Sequence, residues 1–250
     1  MLNVTNCPCC DTLTQTIIPA YLSQFVVWRT TKIKPNSNVR NLLIRCDACD
    51  FHFSNTRFTN KEIARLYQGY RGDQYNRMRL ECEPNYKVSL YSAEYIKQRK
   101  EFINKIIEHH VINIKSVLDY GGDDGAYIPE SLDSVDRYVF DLSGVDPLPG
   151  IKNYVPTEKQ SFDLVMSCQV LEHVSDINVL IKELKNLTKN YIYIEVPTYQ
   201  KPPPVNVIIG EHINFFRGKS LQALLNKHNI NIIKTVTDYN LGVLGILGKI

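Results

Sequence analysis

The fold is decided by the stretch Val117-Leu118-Asp119-Tyr120-Gly121-Gly122-Asp123-Asp124-Gly125. A short apolar run ends in a carboxylate and then in a turn rich in glycine, as expected where a buried strand leaves a sheet. Glycines lack a Cβ atom, so a ligand can approach the main chain closely at such a turn. The stretch therefore predicts a binding site at the end of a strand.

Apolar runs that look like strands alternate with helical patterns from residue 114 onward, at 116–119, 137–141, 162–167 and 191–196. Such alternation is typical of a mostly parallel sheet with helices on both faces, whose ligands bind beyond the carboxyl ends of the strands. Runs at 230–233 and 243–247 predict an antiparallel hairpin at the sheet edge. We expect an α/β, Rossmann-like domain over residues 94–250, beginning with a helix at 94–110.

The charge of the turn indicates which cofactor it accepts. A dinucleotide needs the G-x-G-x-x-G spacing and places its pyrophosphate on a helix N-terminus. The three glycines here do not give that spacing, and Asp119, Asp123 and Asp124 add carboxylates where phosphates would lie. S-adenosylmethionine carries a sulfonium and an ammonium group and no phosphate, so it suits an acidic turn.

Asp141 closes the second strand, about 20 residues beyond the turn, where an acidic side chain commonly binds ribose hydroxyls. Taken without the turn, Asp141 would be interpreted as a helix cap before Ser143.

Four motifs in this order resemble those of class I S-adenosylmethionine-dependent methyltransferases: 117–125, 162–165, 170–174 and 194–197. The resemblance covers roughly residues 95 to 250. It implies that Gly121 and Gly125 line the methionine portion, that Asp141 binds ribose, and that Gln169 and Glu172 approach the methyl-donor pocket. The full set of cofactor-binding residues that we predict is Asp119, Gly121, Gly122, Gly125, Asp141 and Gln169. Asp123 occupies a loop position that is usually glycine.

Seven cysteines, with no export signal, argue for metal binding and against a disulfide framework. Two C-x-x-C pairs predict one closed, structural zinc site with the ligands Cys7, Cys10, Cys46 and Cys49. Cys9 is an alternative to Cys7 or Cys10, and ordinary reduced thiols are the alternative to zinc. Strands at 24–29 and 39–45 would make residues 1–58 a zinc-ribbon-like region.

A connecting segment, 59–93, begins with a predicted helix at 59–67 capped by Thr59 or Asn60. The aromatic and basic residues that follow are typical of a lid or of an exposed amphipathic helix. Tyr70, Arg71 and Tyr75 are candidate substrate contacts. His173 is a fourth candidate, which either faces the site or caps a helix. We assign the basic residues of the helix at 94–110, Arg99 among them, to a solvated face.

The paired cysteines and the segment Tyr70-Arg71-Gly72 resemble the zinc-binding region that precedes this domain in sugar methyltransferases, including deoxysugar C-methyltransferases. The resemblance implies a small carbohydrate or nucleotide-linked sugar as acceptor, as in the biosynthesis of polysaccharides or surface glycans. Glu211-His212 resembles the catalytic Glu-His pair of the C-methyltransferases, although Ile209 stands where those enzymes favour tyrosine.

A sugar hydroxyl needs a base to become a nucleophile at neutral pH. His212 is our candidate base, oriented by Glu211 or by another carboxylate. The alternative is that His212 merely closes a turn before Phe215 and Phe216 enter the core.

Composition sets the remaining limits. The net charge of +3, from 29 basic and 26 acidic residues, does not call for nucleic acid or an anionic membrane as partner. No apolar run reaches the roughly 18 residues of a membrane span, and the first residues do not resemble a signal peptide, so we expect a cytoplasmic protein. Two alternatives remain. One is an RNA or protein methyltransferase that grips its substrate through Arg29, Lys32, Lys34, Arg40 and Arg45. The other is a non-catalytic scaffold, for which Asp123 is the support.

Overall fold

The structure is a computed structural model that describes residues 6–13, 15–70, 72–86, 92–157, 160–199, 201, 203–204 and 206–250. In chain order its elements are β1 (Gln15–Leu22), α1 (Gln24–Thr31), β2 (Val39–Cys46), β3 (His52–Ser54), α2 (Asn60–Tyr67), α3 (Asp73–Cys82), α4 (Ala93–Ile107), β4 (Ser116–Tyr120), β5 (Asp136–Phe140), β6 (Lys152–Asn153), β7 (Phe162–Cys168), α5 (Ile177–Leu187), β8 (Thr188–Pro197), β9 (Val207–Ile209), β10 (Asn214–Phe215), α6 (Gly218–Lys227), β11 (Asn231–Asp238) and β12 (Val243–Lys249). None of the helices in this described part is long and apolar enough to cross a membrane.

A seven-stranded sheet has the strand order β11-β12-β8-β7-β4-β5-β6. Strands β4 to β8 run parallel, and β12 pairs antiparallel with both β8 and β11. The predicted Rossmann-like sheet with an antiparallel C-terminal hairpin is confirmed. The strand order reverses at β4, because β5 and β7 lie on its two sides. Such a switch point opens a crevice at the carboxyl end of the strand, and this is where the glycine-rich turn begins.

The two faces of this sheet are covered unequally. Leu118, Val165 and Ile192 pack in one core cluster with residues of α5 and α6, whereas Val117 and Met166 pack in a second with residues of α4.

The expected alternation of strand and helix is only partly present. The chain between β4 and β5 contains a single 3-10 turn, Glu130–Leu132, and no α-helix.

A second, five-stranded sheet has the order β10-β3-β2-β1-β9. Its outer strands β9 and β10 come from residues 207–215, so the N-terminal region and the segment after β8 build one sheet together. The ring of Phe51 lies 4.8 Å from that of Phe216 between centroids, and both belong to the core cluster of the large sheet. The boundaries that we predict at residues 58 and 93 are therefore crossed by this sheet.

The predicted strand at 24–29 is wrong, because these residues form helix α1. The hydroxyl of Ser23 accepts a hydrogen bond from the main-chain N–H of Val26 at 3.2 Å and caps the helix. Four consecutive apolar or aromatic residues suit a buried strand and a short buried helix equally, so the pattern could not separate them. The strand that pairs with β2 is instead β1, which the sequence analysis missed.

Helix α2 confirms the predicted helix at 59–67. Thr59 and Glu62 form a reciprocal capping box, in which each side chain accepts a hydrogen bond from the main chain of the other residue. The segment after it forms helix α3, which matches the helical alternative for Tyr75 and its neighbours. This helix is not simply exposed, since Tyr75 is 1% accessible.

We expect Thr59→Ala to lower the free energy of unfolding by about 1 kcal/mol, because the first turn of α2 loses a cap. Urea denaturation followed by circular dichroism measures this change. Asn60→Ala is the matched control, since Asn60 is exposed and lies one residue inside the same helix. Equal stability of the two variants would contradict the role given to the capping box.

Candidate active site at the carboxyl edge of the large sheet

The glycine-rich turn after β4 adopts backbone conformations that favour glycine. Gly121 and Gly125 have φ angles of 76° and 84°. A Cβ atom on Gly121 would lie 2.5 Å from Val170, and one on Gly122 would lie 2.4 Å from the carboxyl group of Asp119. The turn is therefore packed from beneath by other residues. It leads into no α-helix, so the helix N-terminus that a pyrophosphate requires is missing from this fully described part of the chain.

Asp123, which replaces the usual glycine, also has a left-handed backbone, with φ of 55°. Aspartate is among the few residues that tolerate this conformation. Its carboxylate accepts a hydrogen bond from the hydroxyl of Ser143 at 3.1 Å. The backbone conformation that glycine would provide is therefore present in this chain.

Asp141 lies at the end of β5 and joins it to the turn. One carboxylate oxygen accepts a hydrogen bond from the main-chain N–H of Asp123 at 3.0 Å, and the other accepts one from that of Ser143 at 2.7 Å. The next element after Asp141 is strand β6 and not a helix, so the helix-cap interpretation does not apply.

Asp119 lies under the turn and is fully buried. Neither carboxylate oxygen has a hydrogen-bond partner among the described residues. Burial raises the pKa of Asp119 to about 7, although the charge of Arg99 opposes this rise. A buried carboxylate without donors is costly unless a cation or donor comes to it. The residues of this site therefore fit a positively charged ligand better than a phosphate.

Gln169 follows β7 with a left-handed backbone, φ of 60°. Its main-chain N–H and its side-chain amide both donate to Glu195 on β8, at 2.9 and 3.1 Å. Glu195 also accepts from the hydroxyl of Tyr193 at 3.0 Å and forms a buried ion pair with Arg99. These contacts fix the direction in which the chain leaves β7.

Our assignment of Arg99 to a solvated face is wrong, since its side chain is 1% accessible. Its guanidinium also lies 4.4 Å from the ring centroid of Tyr127. Arg99 follows Ile96 by three residues and precedes Ile103 by four. This helical spacing places it on the apolar face and is the sequence signal that could have identified it.

Two histidines meet beyond β7. The rings of His173 and His212 lie 4.6 Å apart between centroids, in an edge-to-face arrangement. Nδ1 of His173 lies 2.7 Å from the hydroxyl of Tyr67 and 3.3 Å from the main-chain carbonyl oxygen of Glu211. The cap of helix α5 is Asp176, so the alternative in which His173 caps that helix does not apply.

His212 has the protonation state that a proton acceptor needs. Burial lowers its pKa to about 4, and the positive charge of Arg79 adds to this effect. The ring is therefore unprotonated at neutral pH. Its Nδ1 lies 3.3 Å from the hydroxyl of Tyr199.

Glu172 is the carboxylate that lies with the two histidines. It is 1% accessible, and neither of its carboxylate oxygens has a hydrogen-bond partner in the described part of the chain. One potential ligand atom from each of Glu172, His173 and His212 lies within 4.8 Å of the others. Burial raises the pKa of Glu172 to about 8.

Glu211 points toward the connecting segment. Its carboxylate accepts a hydrogen bond from Arg79 on α3 at 2.5 Å. Arg79 also pairs with Glu83 at 3.0 Å and stacks 4.2 Å from the ring centroid of Tyr86. Sequence reasoning missed Arg79 and the contact of Tyr67 with His173, although it had singled out the segment that contains Arg79.

Of the other candidate substrate contacts, Tyr70 lies beside Tyr67, with ring centroids 5.4 Å apart. Tyr75 packs edge-to-face on Phe25 at 5.0 Å and is buried in the N-terminal core. Arg71 lies outside the described residues.

The four cysteines predicted as ligands come together. The Sγ atoms of Cys7 and Cys49 are 3.6 Å apart, and those of Cys10 and Cys46 are 3.5 Å apart. A tetrahedral site with Zn–S bonds of roughly 2.3 Å has sulfur atoms about 3.8 Å apart, so the cluster is close to the size that zinc requires. Cys9 is buried nearby but is not a member of this group of four.

Comparisons with known proteins identify the family and the fold. A family model described as a methyltransferase domain matches residues 94–235, more than half of the chain. Among solved structures, the chain is similar to 1,6-didemethyltoxoflavin-N1-methyltransferase of Burkholderia thailandensis, at 15% identity and a TM-score of 0.54, covering 84% of this chain and 95% of that one. That structure contains 1,6-didemethyltoxoflavin and S-adenosylhomocysteine.

A second similar structure is magnesium protoporphyrin IX methyltransferase of Synechocystis PCC 6803, at 12% identity and a TM-score of 0.49, covering 76% of this chain and 99% of that one. The sequence matches no curated protein. The chain belongs to the methyltransferase-domain family. It is an S-adenosylmethionine-dependent methyltransferase, as the motifs predict.

We expect the binding of S-adenosylmethionine to release a proton from Asp119. A cation stabilises the ionised carboxylate, so binding lowers a pKa that is about 7 in the free protein. The affinity should therefore rise with pH up to about 7, by at most about tenfold per pH unit, and then level off. Calorimetric titrations from pH 5.5 to 8 measure this dependence.

Asp119→Asn should remove this part of the pH dependence, whereas Asp146→Asn, a change at an exposed position, should keep it. The same pH profile in wild type and Asp119→Asn would contradict the assignment.

Proposed function

We propose that this enzyme transfers a methyl group to a small carbohydrate or nucleotide-linked sugar, with zinc as a structural ion in its N-terminal region. One observation carries the proposal: the connecting segment covers the carboxyl edge of the large sheet. The hydroxyl of Tyr67 contacts the imidazole of His173, and Arg79 forms an ion pair with Glu211. An acceptor must fit beneath these side chains, which favours a small molecule. Hydroxyl, imidazole and guanidinium groups also suit a substrate rich in hydroxyl groups.

S-adenosylmethionine supplies the methyl group when it is bound. In our proposal Asp141 binds its ribose, Gly121 and Gly125 leave the main chain bare beside the methionine portion, and Asp119 compensates positive charge from beneath. The orphaned oxygens of Asp119 and the tight packing under Gly121 and Gly122 support this fit.

His212 would take the proton from the acceptor hydroxyl as the new bond forms. Its unprotonated state at neutral pH supports this role. Tyr199 and His173, which contact the ring, would orient it. Glu211 is held by Arg79, so Glu172 is the better candidate for the other carboxylate that the sequence analysis left open. Holding the acceptor in line with the methyl group supplies much of the remaining rate.

The macromolecular alternative receives less support. Three of its five basic residues are engaged within the fold: Arg29 donates to the carbonyl oxygens of Leu66 and Gln68, Lys34 pairs with Glu81, and Arg45 pairs with Asp50. The scaffold alternative loses its main argument, because Asp123 keeps the left-handed backbone of the turn.

We expect Cys46→Ser to lose the zinc ion of the N-terminal region and to lower the melting temperature, because this region shares a core with the large sheet. Metal analysis of the purified protein and thermal denaturation measure the two effects. Cys82→Ser, which lies outside the group of four, and Cys9→Ser should both keep the ion. Zinc retained by Cys46→Ser would contradict the proposed four-cysteine zinc site.

We expect His212→Asn to lower kcat by about 10²- to 10⁴-fold, because proton removal from the acceptor is lost. The affinity for S-adenosylmethionine should change little. Mass spectrometry of a panel of nucleotide sugars, together with measured formation of S-adenosylhomocysteine, gives the rates. His109→Asn, at an exposed histidine, is the matched control. Wild-type turnover by His212→Asn would rule out His212 as the base, and no methylated sugar with the wild type would rule out the acceptor class.

A further inference from the structure

Glu172, His173 and His212 form a compact group of ligand-type side chains outside the cysteine cluster. One donor atom from each lies within 4.8 Å of the others. Glu172 and His173 follow β7, and His212 precedes β10, so the group joins two segments that are far apart in the sequence. Both segments are tied together by main-chain hydrogen bonds, since Ile213 and Asn214 donate to the carbonyl oxygen of Glu172.

The surroundings of Glu172 call for a cation. Its side chain is 1% accessible, and both carboxylate oxygens are without a hydrogen-bond partner among the described residues. Buried carboxylates are normally paired, hydrogen-bonded or bound to a metal ion. One oxygen lies 3.6 Å from Nε2 of His173, which is too long for a hydrogen bond and leaves room for a bridging atom.

The imidazole of His173 is oriented as a metal ligand would be. Its Nδ1 lies 3.3 Å from the carbonyl oxygen of Glu211, which can only accept a hydrogen bond. When Nδ1 carries the proton, Nε2, which lies 3.6 Å from a carboxylate oxygen of Glu172, has the lone pair that a metal ion requires. The hydroxyl of Tyr67, 2.7 Å from Nδ1, can accept as well as donate and so allows this tautomer. Metal-ligating histidines commonly donate their second nitrogen to a carbonyl oxygen in this way. In His212, Nδ1 contacts the hydroxyl of Tyr199, which can orient that ring similarly.

The charges around the group do not oppose a cation. The guanidinium of Arg79 is the positive charge that acts on His212. This guanidinium is itself paired with the carboxylates of Glu211 and Glu83. Arg99, whose charge acts on Glu172, is paired with Glu195. Each of these two arginines is therefore balanced by at least one carboxylate.

We propose that Glu172, His173 and His212 bind a divalent transition-metal ion, at a site separate from the four cysteines. Two imidazoles and one carboxylate are donors that suit Zn²⁺, Co²⁺, Fe²⁺ or Mn²⁺. Three protein ligands leave a coordination position open, in contrast to the closed cysteine site. The use of that position rests on the proposed function: with the ion bound, the acceptor oxygen would coordinate it, have its pKa lowered and lose its proton to solvent, and His212 would serve as a ligand in place of the free base.

Co²⁺ is the probe that separates the two metal sites. The whole 250-residue chain, with zinc kept in the cysteine cluster, is dialysed against EDTA and titrated with Co²⁺ while its visible absorption is recorded. We expect one equivalent of Co²⁺ to bind and to give d–d bands without the thiolate-to-cobalt charge-transfer bands of a cysteine site.

Glu172→Gln, which keeps the side-chain shape, should weaken Co²⁺ binding at least tenfold, and His212→Gln should do the same. Glu101→Gln, at an exposed position on α4, is the matched control and should bind as the wild type does. Circular dichroism and S-adenosylmethionine binding check that each variant is folded.

Binding by Glu172→Gln and His212→Gln at wild-type affinity, charge-transfer bands only, or no Co²⁺ bound by the wild type would each overturn the proposal. A protein that methylates a sugar without binding Co²⁺ would keep the proposed function and lose only this site.

Discussion

The buried ion pair between Arg99 and Glu195 is the interaction on which the geometry of the site depends. It joins helix α4 to the carboxyl end of β8, and both side chains are almost completely inaccessible to water. Removing one partner of such a pair typically costs about 3–5 kcal/mol, because the other charge stays buried without compensation. Glu195 also receives two hydrogen bonds from Gln169, so the pair fixes the turn that carries the chain from β7 to Glu172 and His173.

The N-terminal region completes the site from the opposite side. Tyr67 and Arg79 belong to two short helices that would have little stability in isolation. They are held because α1, α2 and α3 share a core with strands β1, β2 and β9. The contacts with His173 and Glu211 therefore connect the acceptor side of the site to the packing of the smaller sheet. A methyltransferase domain that began at residue 94 would lack both contacts.

The large sheet could be predicted from the sequence because its central strands are buried on both faces and appear as continuous apolar runs. The glycine-rich turn and its acidic residues could also be predicted, since backbone conformation and charge are local properties. Helix α1 was not, because a short apolar run fits either type of element. The pairing of His173 with His212, and of Arg79 with Glu211, could not be predicted either, because these contacts depend on how distant segments pack. Glu172 was placed near the donor pocket by resemblance, but only the three-dimensional structure shows that its carboxylate has no hydrogen-bond donor among the described residues.

The smaller sheet combines strands from two distant parts of the chain, which affects the order in which the protein folds. Strands β1, β2 and β3 are synthesised early, whereas β9 and β10, which flank them on both sides, follow only after strands β4 to β8 of the large sheet. Domains generally fold from the N-terminus as the ribosome releases them, and unpaired strand edges are prone to aggregate. The nascent three-stranded sheet thus exposes two open edges until residue 215 has emerged. A chaperone that shields those edges would raise the yield of folded enzyme without touching its active site.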